Sequence, residues 1–394
     1  MVPKGWKTLS LGEITKEKVS YGIVQAGPHI ENGIPYIKSS NVGGEIKIED
    51  LQRTSSEIHH KYRRSAVHPN DIVFSLRGNI GRTSIVPTEL LEANLTKGTA
   101  RISVNTKNET NFVYYSLAST PILNRIYSLS KGSTFKEISF EELRKVKLLI
   151  PPLPEQQKIA KILSTWDKAI STTERLIDNS TQQKKALMQQ LLTGKKRLLD
   201  ESGKRFESEW EEVRLSSVAQ ITMGSSPKSE AYNEVGDGLP LLQGNADIKN
   251  RKSVPRIYTS QITKECHVND ILFSVRAPVG TVVVSNHHAC IGRGIAAIKA
   301  KKNHSQDYLY QWLLSFELKW ERYSQGSTFE AVNSNDIKSL NLSVPNLKEQ
   351  QKIATVLTNA DKEIELLEQQ LADFQQEKKA LMQVLLTGKK RVVV

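Results

Sequence analysis

The stretches NDIVFSLRGNIGRTSIV (70–86) and NDILFSVRAPVGTVVVS (269–285) each place an arginine, Arg77 or Arg276, directly after a short apolar run. A guanidinium at the loop edge of a strand offers a planar fork of donors that matches guanine or phosphate. The same fork also suits an ion pair inside a domain. Asn79 and Arg82 continue the first loop and join it as candidate contacts. Lys38, Ser39, Ser40 and Asn41 align with Gln243, Gly244 and Asn245 as a polar loop after a strand, a pattern that surface loops also show. Lys131, Gly132, Ser133 and Thr134 are echoed by Gln325, Gly326, Ser327 and Thr328. A flexible backbone with hydroxyls fits a phosphate, and equally a helix cap. Arg293, flanked by two glycines, completes this set, and Lys61, Arg63 and Arg64 add local surface charge.

Catalytic signatures are missing. Gln189 and Gln383 stand where a P-loop needs its first glycine ahead of Gly194 and Gly388. Gly292 to Ala297 spells GxGxxA, but the matching stretch of the first half, TKGTARI, keeps one glycine and no βαβ context surrounds either. No Asn/Asp-Pro-Pro-aromatic motif of an adenine methyltransferase occurs, and no nucleophile elbow. Cys266, His267, His287, His288 and Cys290 fit no common zinc-finger spacing, and nothing in the first half repeats the cysteines. They read as core cysteines with surface histidines. The expectation is a chain with no catalytic residue, no metal and no bound cofactor.

Composition narrows the class. The net charge of +13 makes a polyanionic partner plausible. That charge is uneven: residues 1–150 hold 21 Lys/Arg against 14 Asp/Glu, whereas residues 201–345 hold 17 against 16. If both halves bind nucleic acid, the second must rely on a local patch. Two cysteines in 394 residues, with no signal-peptide core and no long apolar run, point to a cytoplasmic protein of roughly two to four domains.

These loops must be held by a duplicated scaffold. KKALMQQLLTGKKR (184–197) returns as KKALMQVLLTGKKR (378–391), and EQQKIA at 155–160 returns at 349–354, both at an offset of 194. Prolines 151, 152 and 154, and Pro345, precede each segment, and Gly194 and Gly388 follow it, as suits the two ends of a helix. Alternating steps of four and three connect Ile159, Leu163, Trp166, Ile170, Thr173, Ile177, Ser180, Lys184, Leu187 and Leu191. The second copy places Ile353, Leu357, Ala360, Ile364, Leu367, Leu371, Phe374, Lys378, Leu381 and Leu385 in the same phase. Five such heptads predict a coiled coil, with the polar positions fixing register; an amphipathic helix lying on a core is the plainer alternative. Asp71–Leu76 and Asp270–Val275 read as short strands, and FVYYSLAST and DYLYQWLLSF as buried helices. The predicted class is α+β: two mixed α/β domains joined by two long helices.

Two diverged domains alternating with two near-identical helices, each opening P-x-P-E-Q-Q-K-I-A or its equivalent and closing K-K-A-L-M-Q-x-L-L-T-G-K-K-R, resemble the specificity (S) subunit of Type I restriction–modification enzymes. The resemblance covers the whole chain. It implies target recognition domains at 1–154 and 201–345, with constant helices at 155–200 and 346–394 that pack antiparallel in pseudo-twofold symmetry. Each domain would read one half of a bipartite site in double-stranded DNA. Two modification subunits would bring S-adenosylmethionine and methylate adenine, and restriction subunits would supply translocation with ATP and Mg. A helix of about 38 residues spans about 57 Å at 1.5 Å per residue, longer than the roughly 34 Å of one DNA turn. The paired helices would then act as a ruler for the spacer. Two alternatives remain at this level: a coiled-coil scaffold that binds protein, which would lack salt-dependent retention on heparin, and a self-sufficient methyltransferase, which would bind S-adenosylmethionine alone.

Overall fold

A computed structural model describes residues 2–19, 22–23, 25–132, 136–276, 278–325 and 332–393. Ser133, Thr134, Ser327 and Thr328 lie outside the described residues. The chain divides into two compact units, Met1–Glu174 with Gln370–Val394, and Arg175–Gln369. Each takes one diverged domain and part of both long helices.

In the first unit, the strand Ile72–Ser75 lies between Thr83–Ile85 and Thr99–Ile102, antiparallel to both. A second sheet pairs Ile34–Ile37 antiparallel with Gln52–Thr54 and parallel with Asn94–Leu95. The second unit repeats the plan. Ile271–Ser274 lies between Val282–Val284 and Ile295–Ala300, and Leu239–Leu242 pairs with Ile257–Thr259 and, in parallel, with Ala289–Ile291.

Alternation within one strand explains why these runs are apolar throughout. Ile72 and Phe74 face a core with Phe112, Ile159 and Leu385, whereas Val73 faces a smaller core with Ile37 and Leu95. Ile271 and Phe273 share a core with Tyr308, Leu191 and Ile353, and Leu272 faces Leu242 and Ile291. A strand buried on both faces cannot show a polar stripe. The Asn-Asp turn ahead of each strand is real: Asn70 and Asn269 adopt φ of 67° and 71°, a left-handed conformation that asparagine tolerates better than most residues. Asp71 and Asp270 then accept from the backbone N–H of His68 and His267 at 3.0 and 2.7 Å.

FVYYSLAST is not one helix. Thr110–Leu117 ends at Ala118, and Thr120–Leu129 starts anew with Pro121 in its first turn. Proline has no N–H to continue the earlier ladder but suits a helix start. DYLYQWLLSF does lie inside one helix, Gln306–Gln325, and buries Tyr308, Leu309 and Leu313 completely.

Both long helices run 39 residues, Leu153–Leu191 and Leu347–Leu385. Every seam position named from the sequence is buried or half-buried. Ile159 and Leu163 pack in the first unit's core with Leu381 and Leu385. Leu187 and Leu191 pack in the second unit's core with Ile353 and Leu357. Each closing leucine pair therefore meets the opening turns of the other helix, and each core is continuous with the domain beside it. Trp166 and Phe374 meet edge-to-face at 5.6 Å. Gly194 and Gly388 end the helices at φ of 69° and 66°, the left-handed closure that glycine enters without strain. No helix among the described residues is long and apolar enough to cross a membrane.

Candidate nucleic-acid interface and its helical frame

The first unit gathers several predicted contacts at one end of its sheets. The Lys38 ammonium donates to Gln52 Oε1 at 2.6 Å and lies 5.6 Å from the Tyr36 ring centre, while its backbone N–H donates to Asn41 Oδ1 at 3.0 Å. Arg77 crosses over Gly98: a Cβ there would stand 3.1 Å from Arg77 Nε and 3.7 Å from Ser39 Oγ. Lys131 pairs its backbone with Glu137, which also bridges to Arg77, so this cation borders the same patch. Lys38, Ser39, Arg77 and Lys131 are thus neighbours, although up to 93 residues apart. Asn79 and Arg82 occupy the adjoining turn, where Arg82 N–H donates to Asn79 O at 3.2 Å and the Arg82 stem packs on Gly43.

The second unit collects a less charged set. Gln243 N–H donates to Asp247 Oδ2 at 2.7 Å and its amide donates to the Tyr232 hydroxyl at 3.0 Å. Asn245 donates to Pro278 O at 2.9 Å. Arg293 N–H donates to Ser226 Oγ at 3.2 Å, on a turn between Ala289–Ile291 and Ile295–Ala300. That strand–turn–strand setting disposes of the dinucleotide motif. The two glycines serve close backbone approach instead, since a Cβ on Gly294 would lie 2.1 Å from Gln243 O. Arg77 and Arg276 are both exposed, and neither makes an ion pair with another described residue. Pairing inside the domain, the alternative for these arginines, is therefore not observed among the described residues.

Sequence reading missed Lys97. Leu76 N–H donates to Gly98 O at 2.9 Å and Val275 N–H to Gly294 O at 3.0 Å. This register makes Lys97 the counterpart of Arg293, and both are exposed. The signal was the alignment of TKGTARI with the glycine–arginine–glycine turn.

The frame holding these patches is polar at its ends. Arg391 grips Glu155 through Nε and Nη2 at 2.6 and 2.8 Å, Trp6 donates to the same carboxylate at 3.1 Å, and the guanidinium lies over the Trp6 ring. Arg197 grips Glu349 at 2.6 and 2.7 Å and lies over Trp210. The arginine of each GKKR tip thus neutralises a buried glutamate at the start of the other helix. Gln156 accepts from Glu109 N–H at 2.8 Å and Gln350 from Ser305 N–H at 2.9 Å, tying each helix start to its own domain. The EQQ motif is the socket for these contacts.

Polar seam residues also find partners. Lys378 pairs with Asp167, which accepts from the Tyr115 hydroxyl at 2.6 Å; Lys184 pairs with Asp361, which accepts from Gln311 at 2.8 Å. Burial, then the hydrogen bond to Asp167, pushes the Tyr115 phenol well above its usual range, so it remains a donor. Such half-buried pairs add little net stability, but they penalise any slipped register. Within each unit, rising numbers on one helix meet falling numbers on the other, which is antiparallel packing.

The model of the Type I restriction modification DNA specificity domain matches residues 3–179 and again 207–375. A protein of Methanocaldococcus jannaschii provisionally named the type I restriction enzyme MjaX specificity subunit is 32% identical, over 99% of this chain and 95% of its own. The HsdS subunit of Thermoanaerobacter tengcongensis superposes with a TM-score of 0.52 at 25% identity, covering 99% of this chain and 98% of that one. The Type-I restriction-modification S subunit of M. genitalium gives 0.65 at 16% identity, covering 98% and 96%. The chain, with two copies of the domain matched in tandem, belongs to the Type I restriction modification DNA specificity family.

Proposed function

We propose that this chain is the DNA-recognition subunit of a Type I restriction–modification complex and carries no catalytic step itself. Each diverged domain reads one half of a bipartite site, and the two long helices set the spacer and dock two methyltransferase subunits. S-adenosylmethionine, ATP and Mg belong to the modification and restriction subunits. One observation carries the reading: two domains of the same plan present cations and amides on the same strand-end loops in the same register. Phosphate contacts by Lys38, Lys97 and Lys131 would orient the duplex, while Arg77, Gln243, Asn245, Arg276 and Arg293 carry donors of the kinds that pair with base edges and would read them.

Arg293→Ala is expected to weaken binding of a cognate duplex about tenfold, in line with roughly 1–3 kcal/mol for a lost bidentate base contact. It should also relax discrimination in one half-site. Lys97→Ala is expected to weaken all sequences alike and to reduce the salt slope by about one. Fluorescence anisotropy of the assembled methyltransferase across a salt series measures both. Unchanged affinity and slope in the two variants would remove these loops from the interface.

The ruler has its own test. Four residues inserted at Thr193–Gly194 fall between the last helical turn and the Arg197–Glu349 clamp. As added helix they lengthen the rod by about 6 Å, or roughly two base pairs. Mapping of methylated adenines should show a spacer longer by one or two pairs with both half-sites intact; an unchanged spacer refutes the ruler.

A further inference from the structure

We propose that Glu265, His267 and His288 form a binding site for one transition-metal ion of the zinc class, on the second diverged domain and away from its reading loops. Glu265–Cys266 is the edge strand of a five-stranded sheet and pairs antiparallel with Ala289–Ile291, Glu265 opposite Cys290 and Cys266 opposite Ala289. One step further along this register sets His267 opposite His288. Because side chains alternate along a strand, Glu265 and His267 share a face, and the cross-strand His288 joins them there. The two imidazoles stack at 4.7 Å with 12° between planes, and His288 Nε2 stands 2.6 Å from Glu265 Oε2. One donor atom from each of the three residues lies within 4.8 Å of the others. Tetrahedral zinc with bonds near 2.0–2.1 Å needs ligand atoms about 3.3 Å apart, so separations of up to 4.8 Å close by at most about 1.5 Å and the 2.6 Å His288–Glu265 contact opens by about 0.7 Å, small rotations for exposed side chains.

Duplication supplies an internal control. The equivalent bridge in the first unit joins Val67 to Ala93, so Ala66, His68 and Glu92 occupy the positions of Glu265, His267 and His288. There the strand pairing forms without the trio, so the fold does not require it. Asp270 Oδ2 lies 3.8 Å from His267 Nδ1 and would orient that ring from behind, as carboxylates do for metal-bound histidines. Two imidazoles and one carboxylate favour zinc, cobalt or nickel over magnesium or calcium, which prefer an all-oxygen shell. Three protein ligands leave a further position for water. The ion would fasten a two-residue edge strand to its neighbour. Arg293 lies five residues beyond His288, past the other end of that strand, so metal binding is separable from DNA reading.

The test is calorimetric titration of the full chain, freed of metal by chelator, with zinc sulfate, repeated with magnesium chloride. One equivalent of zinc and no magnesium binding are expected. His267→Asn with His288→Asn should abolish that equivalent, and Glu265→Gln should weaken it more than about tenfold, the scale of supporting-ligand losses. Circular dichroism checks that each variant keeps the parent fold; Glu265→Gln provides a second reading if the double variant does not fold. Cobalt should give visible bands without thiolate charge transfer. Failure of the parent chain to bind zinc, undiminished binding by a folded variant, or a thiolate band implicating Cys290 would each overturn the assignment.

Discussion

Arg197→Ala is expected to destabilise the second unit by about 3 kcal/mol, the largest effect of any single substitution considered. Its partner Glu349 is 0% exposed, and Arg197 supplies both of its charge-assisted hydrogen bonds. Removing one member of a buried pair leaves the other charge dehydrated and uncompensated, which costs about 3–5 kcal/mol. The low end applies because Arg197 itself keeps 19% of its surface in water. Urea unfolding followed by tryptophan fluorescence measures this where it matters, since Trp210 lies under the guanidinium. The midpoint should fall by about 1 M or more, given slopes of roughly 1–3 kcal/mol per molar for small proteins. Arg197→Met combined with Glu349→Gln should recover most of the loss, because no buried charge then remains. An unmoved midpoint in Arg197→Ala would show that the clamp is ornamental. Arg391→Ala should act in the same direction but less strongly, because Arg391 is 44% exposed.

The second large effect concerns specificity. Exchange of residues 1–150 for the matching segment of another family member is expected to replace one half-site completely and leave the other unchanged. The physical basis is separation of cores. Ile72, Phe74 and Phe112, with Ile37 and Leu95, pack wholly within the first unit, and Phe273, Tyr308, Leu242 and Ile291 wholly within the second. The candidate loops of each domain hang on its own strands. Restriction of the exchange to 1–150 also spares Glu155, Gln156 and Asp167, so the helix sockets remain. Sequencing of methylated adenines in a host carrying the chimaera and its partner subunits gives the outcome directly. Change in both half-sites would defeat independent reading, whereas loss of all methylation with soluble chimaera would point to Trp6 and its socket on Glu155.

Much of the molecule is legible in its sequence. The repeat at an offset of 194 set the helix pair, its length and its phase, because a heptad pattern is local and a duplicated one is self-checking. Loops after strands were found for the same reason, and Arg77, Arg276, Gln243 and Arg293 follow from strand-end positions visible in one dimension.

Other features belong to the tertiary structure because their partners are distant in sequence. Arg391 and Glu155 are 236 residues apart, and no spacing rule joins a basic tip to an acid at the start of another helix. The partners that fix the register were also decided in space: Lys184 meets Asp361 and Lys378 meets Asp167 across the seam, pairings that heptad spacing does not name. Pairing of Leu239–Leu242 with Ala289–Ile291 brings Gln243 beside the Arg293 turn, and pairing of Glu265–Cys266 with the same strand sets His267 against His288. Sequence by itself determined the repeated plan and the helical frame, and with them the family to which the chain belongs. Only the tertiary structure decided which charges meet, because strand pairing and antiparallel helix packing bring together residues whose separation along the chain carries no physical information.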